Sequence, residues 1–227
     1  MNVPGRPFGT LRTRIAGLLS TDQPVALLCR WSEVPPQRLI NPLLSFLYST
    51  EAQVKWRAVT AVGIVVARMA DDDLEAARTV MRRLMWSLND ESGGIGWGAA
   101  EAMGEIMARQ PRLAEEYHRI LLSYIREDGN RLDHEALETG ALWGLGRLAM
   151  TRPDLLGDAA LHLLPYLHSR NSDQRGLAAW ALCFLGATVP PSVCGSLLQD
   201  PVEITIYEKE TFSRYRLADL AARLLAE

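Results

Sequence analysis

His134, Glu135 and Glu138 form the most chemical-looking constellation in this 227-residue chain. A helical zinc site of the metalloprotease kind needs His-Glu-x-x-His, so that two imidazoles meet on one face and the glutamate works on the metal-bound water. Here Glu138 stands where the second imidazole is required, and the spacing is His-Glu-x-x-Glu. Two acids at the start of a helix are also what the helix dipole favours, and that is how the cluster is read. The remaining histidines are His118, His162 and His168. His162 and His168 are six apart, which does not place them on one face, and they are expected at the surface.

Gly93-Gly-Ile-Gly-Trp-Gly98 is the most unusual local stretch. A phosphate cradle follows a strand and opens a helix. These glycines follow a predicted helix, have no Lys or Arg adjacent, and lie among Asp90, Glu91 and Glu101, which repel an anion. Gly93, Gly94, Gly96 and Gly98 are therefore expected to form a tight inter-helix turn with positive φ, leaving room for Trp97 and for a partner to approach the backbone. The cysteines Cys29, Cys183 and Cys194 lack metal spacing and lie in apolar surroundings. They are expected to be reduced and structural, as in a cytoplasmic protein.

The elements that position these residues are announced by a repeat. Trp56-Arg-Ala-Val-Thr-Ala-Val-Gly63, Trp97-Gly-Ala-Ala-Glu-Ala-Met-Gly104, Thr139-Gly-Ala-Leu-Trp-Gly-Leu-Gly146 and Ala179-Trp-Ala-Leu-Cys-Phe-Leu-Gly186 superpose on their last glycine, at intervals of 41, 42 and 40 residues. Five positions before each glycine stands Ala58, Ala99, Ala141 or Ala181. A small residue there lets neighbouring helix backbones come close. Pro111 and Pro153 follow their glycines by seven residues and mark helix starts. First helices are predicted at roughly 36–48, 73–88, 112–126, 155–168 and 191–199. Each of the first four is followed by a glycine-bearing second helix. Thr50 and Asp133 are the expected N-caps of two of these.

This pattern resembles the HEAT-like repeats of the family that includes phycobilisome lyases and deoxyhypusine hydroxylase, over about residues 36–190. The resemblance implies an all-α, right-handed α-α superhelix in which pairs stack because no pair buries its apolar face alone. In the hydroxylase, iron is held by His-Glu pairs at the start of second helices. At the equivalent positions this chain has Trp56-Arg57, Trp97-Gly98, Thr139-Gly140 and Ala179-Trp180, and His134-Glu135 lies five residues out of register. No metal and no cofactor are expected.

One domain is expected over 1–227: a helical cap at 1–35 with helices at about 9–20 and 23–32, four helix pairs at 36–190, and a degenerate fifth repeat at 191–227. Val202-Glu-Ile-Thr-Ile-Tyr207 and Thr211-Phe-Ser-Arg-Tyr215 alternate apolar with polar residues, which predicts a small β-hairpin at about 202–215 and a last helix at about 216–226. The hairpin must pack on the repeats, or pair with a second copy in a homodimer. No secretory h-region and no apolar run long enough for a membrane span are found. A net charge of −3 disfavours non-specific duplex binding.

The tryptophans are the expected binding residues. The resemblance implies that second helices line a concave face and that the position three before the glycine (Thr60, Glu101, Trp143, Cys183) faces solvent. Trp143 is accordingly expected to be exposed, while Trp56 and Trp97 are expected to be at least partly packed between repeats. Trp143, Trp97 and Trp56 would anchor a protein or peptide partner, with Arg57, Glu101, Glu105, Glu138 and Arg147 fixing its register. The function expected is a non-catalytic scaffold. The alternative is an accessory or lyase-like protein holding a small cofactor near the glycines and tryptophans. A third is DNA binding or base repair, because a HEAT-like family of alkylated-base glycosylases has similar length and Arg6, Arg12, Arg14, Arg82 and Arg83 offer local positive charge.

Overall fold

Pro36, Pro111 and Pro191 each occupy the first turn of a helix, where a missing N–H costs nothing and a fixed φ helps. Such residues set the frame of a computed structural model that describes residues 7–21, 28, 31, 34–89 and 96–225. The helix expected at about 23–32 falls largely outside these residues, as do Cys29, Gly93 and Gly94. The order is α1 (Pro7–Leu19), α2 (Pro36–Phe46), α3 (Ala52–Asp72), α4 (Leu74–Leu88), α5 (Ala99–Arg109), α6 (Pro111–Ser123), α7 (Glu135–Ala149), α8 (Ala159–Leu163), α9 (Ser172–Phe184) and α10 (Pro191–Cys194), then β1 (Glu203–Glu208), β2 (Thr211–Arg216) and α11 (Leu217–Leu224). The fold is therefore a helical repeat with a small C-terminal hairpin, as expected. Contacts gather into two units, Met1–Ala102 and Met103–Glu227, with the division falling inside α5.

Within the first unit α2 packs on α3, and α3 on α4. The two helix types differ as their positions require. α4 keeps an exposed polar face, while α3 is buried on most sides, from Val54 through Ala70. In the second unit α7 and α9 are likewise buried and pack against each other.

The repeat glycines and alanines explain this packing. Ala58, Ala99, Ala141 and Ala181 are all buried. A Cβ on Gly104 would collide with the backbone of Gly144, and one on Gly146 with the indole of Trp180. So α5 and α7 cross backbone to backbone, and α7 receives a ring from α9.

Two expected caps are corrected. Asp133 does not cap α7: His134 does, its Nδ1 accepting the Ala136 N–H at 3.2 Å. Thr50 does not cap α3: Glu51 holds that position without a side-chain cap bond, and Ser49 Oγ accepts the Glu51 N–H. α9 is capped by Asn171, whose Oδ1 accepts from Asp173 and Gln174.

The hairpin pairs Glu203 with Arg216 through to Glu208 with Thr211. Its connecting residues Lys209 and Glu210 both have positive φ, 47° and 66°, the mark of a two-residue I′ turn built without glycine. Ile204 and Ile206 face inward and are buried, and a Cβ on Gly176 of α9 would collide with Ile204. A marginal two-stranded element is thus held by the repeat beneath it. No helix among the described residues is long and apolar enough to cross a membrane.

Candidate functional site

In the first unit, Trp97 sits on the turn that opens α5. Gly98 has φ 75°, and a Cβ there would press on Leu47 at 3.0 Å. Glycine is required twice over, which turns the chain so that Trp97 projects outward, 38% exposed. Beside it the end of α2 presents Tyr48, 53% exposed. Leu47, Tyr48, Ser49, Thr50, Lys55 and Trp97 enclose a cleft of about 380 Å³. Its floor is fixed by charge: Lys55 Nζ lies 2.8 Å from Glu101 Oε1 and 5.3 Å from the centre of the Trp56 ring. Glu101 is buried and Trp56 half-buried, so the ammonium is shared between a desolvated carboxylate and an aromatic face. Among the described residues the cleft offers two exposed aromatic rings, the hydroxyls of Tyr48, Ser49 and Thr50, and one tethered cation.

The other expected site residues are engaged inside the fold. Trp143 is corrected outright: it is 3% exposed, and its Nε1 donates to the Tyr207 carbonyl at 2.9 Å. The hairpin covers the side of α7 that was expected to meet solvent. Thr60 and Glu101, at the same repeat position, are also buried, and only Cys183 is partly open. The polar expectations change in the same way. Arg57 is buried and donates to the Leu19 carbonyl at 2.9 Å. Glu105 is buried and accepts from Arg109 at 2.7 Å and from Arg147 at 2.6 Å. A buried charge must find partners, and these have found them within the chain.

Glu138 is the centre of a second cluster. It accepts from Arg131 Nε at 2.8 Å, Gln174 Nε2 at 2.9 Å and the Tyr166 hydroxyl. Both carboxylate oxygens are engaged, so it is not a free general base. Burial, then the bond to Glu138, pushes the Tyr166 phenol well above its ordinary range. Tyr166, Gln174, Arg131, His162 and His168 line a cavity of about 500 Å³. The two histidines reach the same cavity, against expectation, because α8 gives way to a 3₁₀ turn at Leu164–His168. Three residues per turn returns the chain to the same face sooner than α geometry does. The signal in the sequence was Pro165, one residue into that turn. His134, by contrast, serves as a cap, and among the described residues no group of three or more His, Cys, Asp or Glu could hold a metal ion.

Trp86 lies on a first helix, outside the repeat register, yet it is 74% exposed, one turn from Arg82 and Arg83. Tyr48 lies outside that register as well.

No family model matches the chain. It is 25% identical over 193 residues to an uncharacterized protein of Archaeoglobus fulgidus, covering 83% of this chain and 94% of that one. Among solved structures it is similar to an engineered protein (18% identity, 95% of each chain, TM-score 0.51). It is also similar to a designed armadillo repeat protein (16% identity, 93% of this chain, 97% of that one, TM-score 0.50). A further designed armadillo repeat protein, in complex with the peptide (KR)4, matches at 16% identity over 95% of this chain and 99% of that one (TM-score 0.51). These likenesses establish an armadillo-like helical repeat.

Proposed function

We propose that this protein is a non-catalytic repeat scaffold that binds a peptide or protein segment, with the Tyr48–Trp97 cleft as its anchor. The observation that carries the reading is the exposure of two aromatic rings on a cleft whose floor is held by the Lys55–Glu101 pair. Large rings presented on a rigid frame give contact area at little entropic cost, which is why tryptophan and tyrosine dominate binding hot spots. The occupant this chemistry suits is an extended segment with an apolar or proline side chain inserted between the rings. The 40–42 residue spacing supports HEAT-like repeats, and the peptide complex of a designed armadillo neighbour supports use of such a frame for peptides.

The test is selection from a displayed peptide library with the wild type and a Trp97→Ala variant. Enriched sequences sharing an apolar anchor, bound by the wild type and lost by the variant, support the reading. Failure to enrich any sequence, or equal recovery by both proteins, overturns it.

A further inference from the structure

A third cavity, of about 360 Å³, lies in the second unit where α9 ends beside α11. Trp180, Cys183 and Phe184 line it from α9, Gly186 and Thr188 from the following loop, and Arg223 from α11. Its walls are preformed. Trp180 and Phe184 pack edge to face with centroids 5.4 Å apart. The Cε3–Cζ3 edge of Trp180 rests against Gly146. The loop is fastened to α11 by the Val189 N–H donating to the Leu224 carbonyl at 3.0 Å.

Among the described residues the polar side chains lining this cavity are those of Trp180, Cys183, Thr188 and Arg223, and none is a carboxylate. The Cys183 thiol is directed at the Leu220 carbonyl, 3.7 Å away. Arg223 stacks near the Tyr215 ring, 5.9 Å from its centre, and forms no ion pair among the described residues. The Trp180 indole N–H is buried without a hydrogen-bond acceptor. Buried donors are almost always paired, and this one has no partner in the fold. A guanidinium without an ion pair among the described residues, next to an aromatic wall, suits an anion joined to an apolar group.

We propose that this cavity binds an organic carboxylate carrying an apolar group, with Arg223 meeting the carboxylate and the Trp180–Phe184 pair holding the apolar part. A free small acid and the C-terminal carboxylate of a peptide present the same chemistry. The proposal involves none of the residues of the Tyr48–Trp97 cleft and stands or falls separately from it.

The test uses the full chain, ¹⁵N-labelled, titrated with N-acetylphenylalanine, its amide and phenylacetate while the Trp180 indole N–H resonance is followed. The acids should move that resonance, the amide should bind about tenfold more weakly or worse, and Arg223→Met should lose the acids. Arg223 is exposed, so the variant should keep the wild-type circular dichroism spectrum. Arg223→Lys, which keeps the charge but not the fork, should bind at intermediate strength and guards against a misfolded neutral variant. A preference for N-acetylphenylalanine assigns a peptide terminus, and a preference for phenylacetate a free acid. Equal binding of acid and amide, acid binding unchanged in Arg223→Met, or no response at Trp180 up to about 10 mM acid overturns the proposal.

Discussion

The indole N–H of Trp143 donates to the main-chain carbonyl of Tyr207 at 2.9 Å, joining the middle of α7 to the end of β1 across 64 residues of sequence. The bond makes the hairpin part of the core. Trp143→Phe should cost about 1–2 kcal/mol, because it removes this buried hydrogen bond while keeping most of the ring. Trp143→Ala should cost about 3–5 kcal/mol by opening a cavity as well. Urea unfolding followed by circular dichroism measures both. A Trp143→Ala variant as stable as the wild type would show that the hairpin does not cover α7.

Two glycines should respond in opposite directions to the same change. At Gly104 a Cβ meets the backbone of Gly144, which cannot step aside, so Gly104→Ala should destabilise by about 2–3 kcal/mol. Gly157 has helical φ and ψ and open space around it. Gly157→Ala should stabilise by about 0.5–1 kcal/mol, because it restricts the unfolded chain. Thermal melts of the pair check the contrast.

The phenols of Tyr166 and Tyr215 predict a loss of stability in alkali. Burial, then a hydrogen bond to Glu138, raises the first; burial, then a hydrogen bond to Glu208, pushes the second up to about 12. The folded state holds both in neutral form, while the unfolded chain ionises near the ordinary value of about 10. Their contribution is therefore complete below about pH 10 and is lost as pH rises through the folded values. The urea midpoint should fall between about pH 10 and 12, and the fall should be shallower in Tyr166→Phe. A midpoint flat across that range would count against both assignments.

The hairpin turn can be improved. Lys209 and Glu210 hold left-handed conformations that cost a side-chain-bearing residue about 1 kcal/mol or more. Lys209→Asn combined with Glu210→Gly supplies the residues an I′ turn prefers and should add about 1 kcal/mol of stability. Equal or lower stability in a thermal melt would mean that the turn is not I′.

Period and helix type were legible because each rests on local patterning. Prolines fixed where helices begin, and the alternation of Ile204, Ile206 and their neighbours fixed the hairpin. Exposure was less legible, because it depends on what arrives from far along the chain. Nothing near Trp143 announces that Tyr207 will cover it, and nothing near Glu101 announces Lys55. Trp97 was expected to be at least partly packed between repeats, and the positive φ of Gly98 turns it partly outward. Tyr48 and Trp86 lie outside the repeat register and had no neighbour to mark them. The meeting of His162 and His168 depended on one local change of helix type, which Pro165 signalled.

Gly104 and Gly146 stand at the same place in the repeat, yet the first admits a backbone and the second an indole. Each seam is therefore keyed to its own neighbour. The repeats of this protein are not interchangeable modules: duplicating or exchanging one would set a glycine against a surface it was not cut to receive. Divergence at either seam has to proceed in matched pairs of changes.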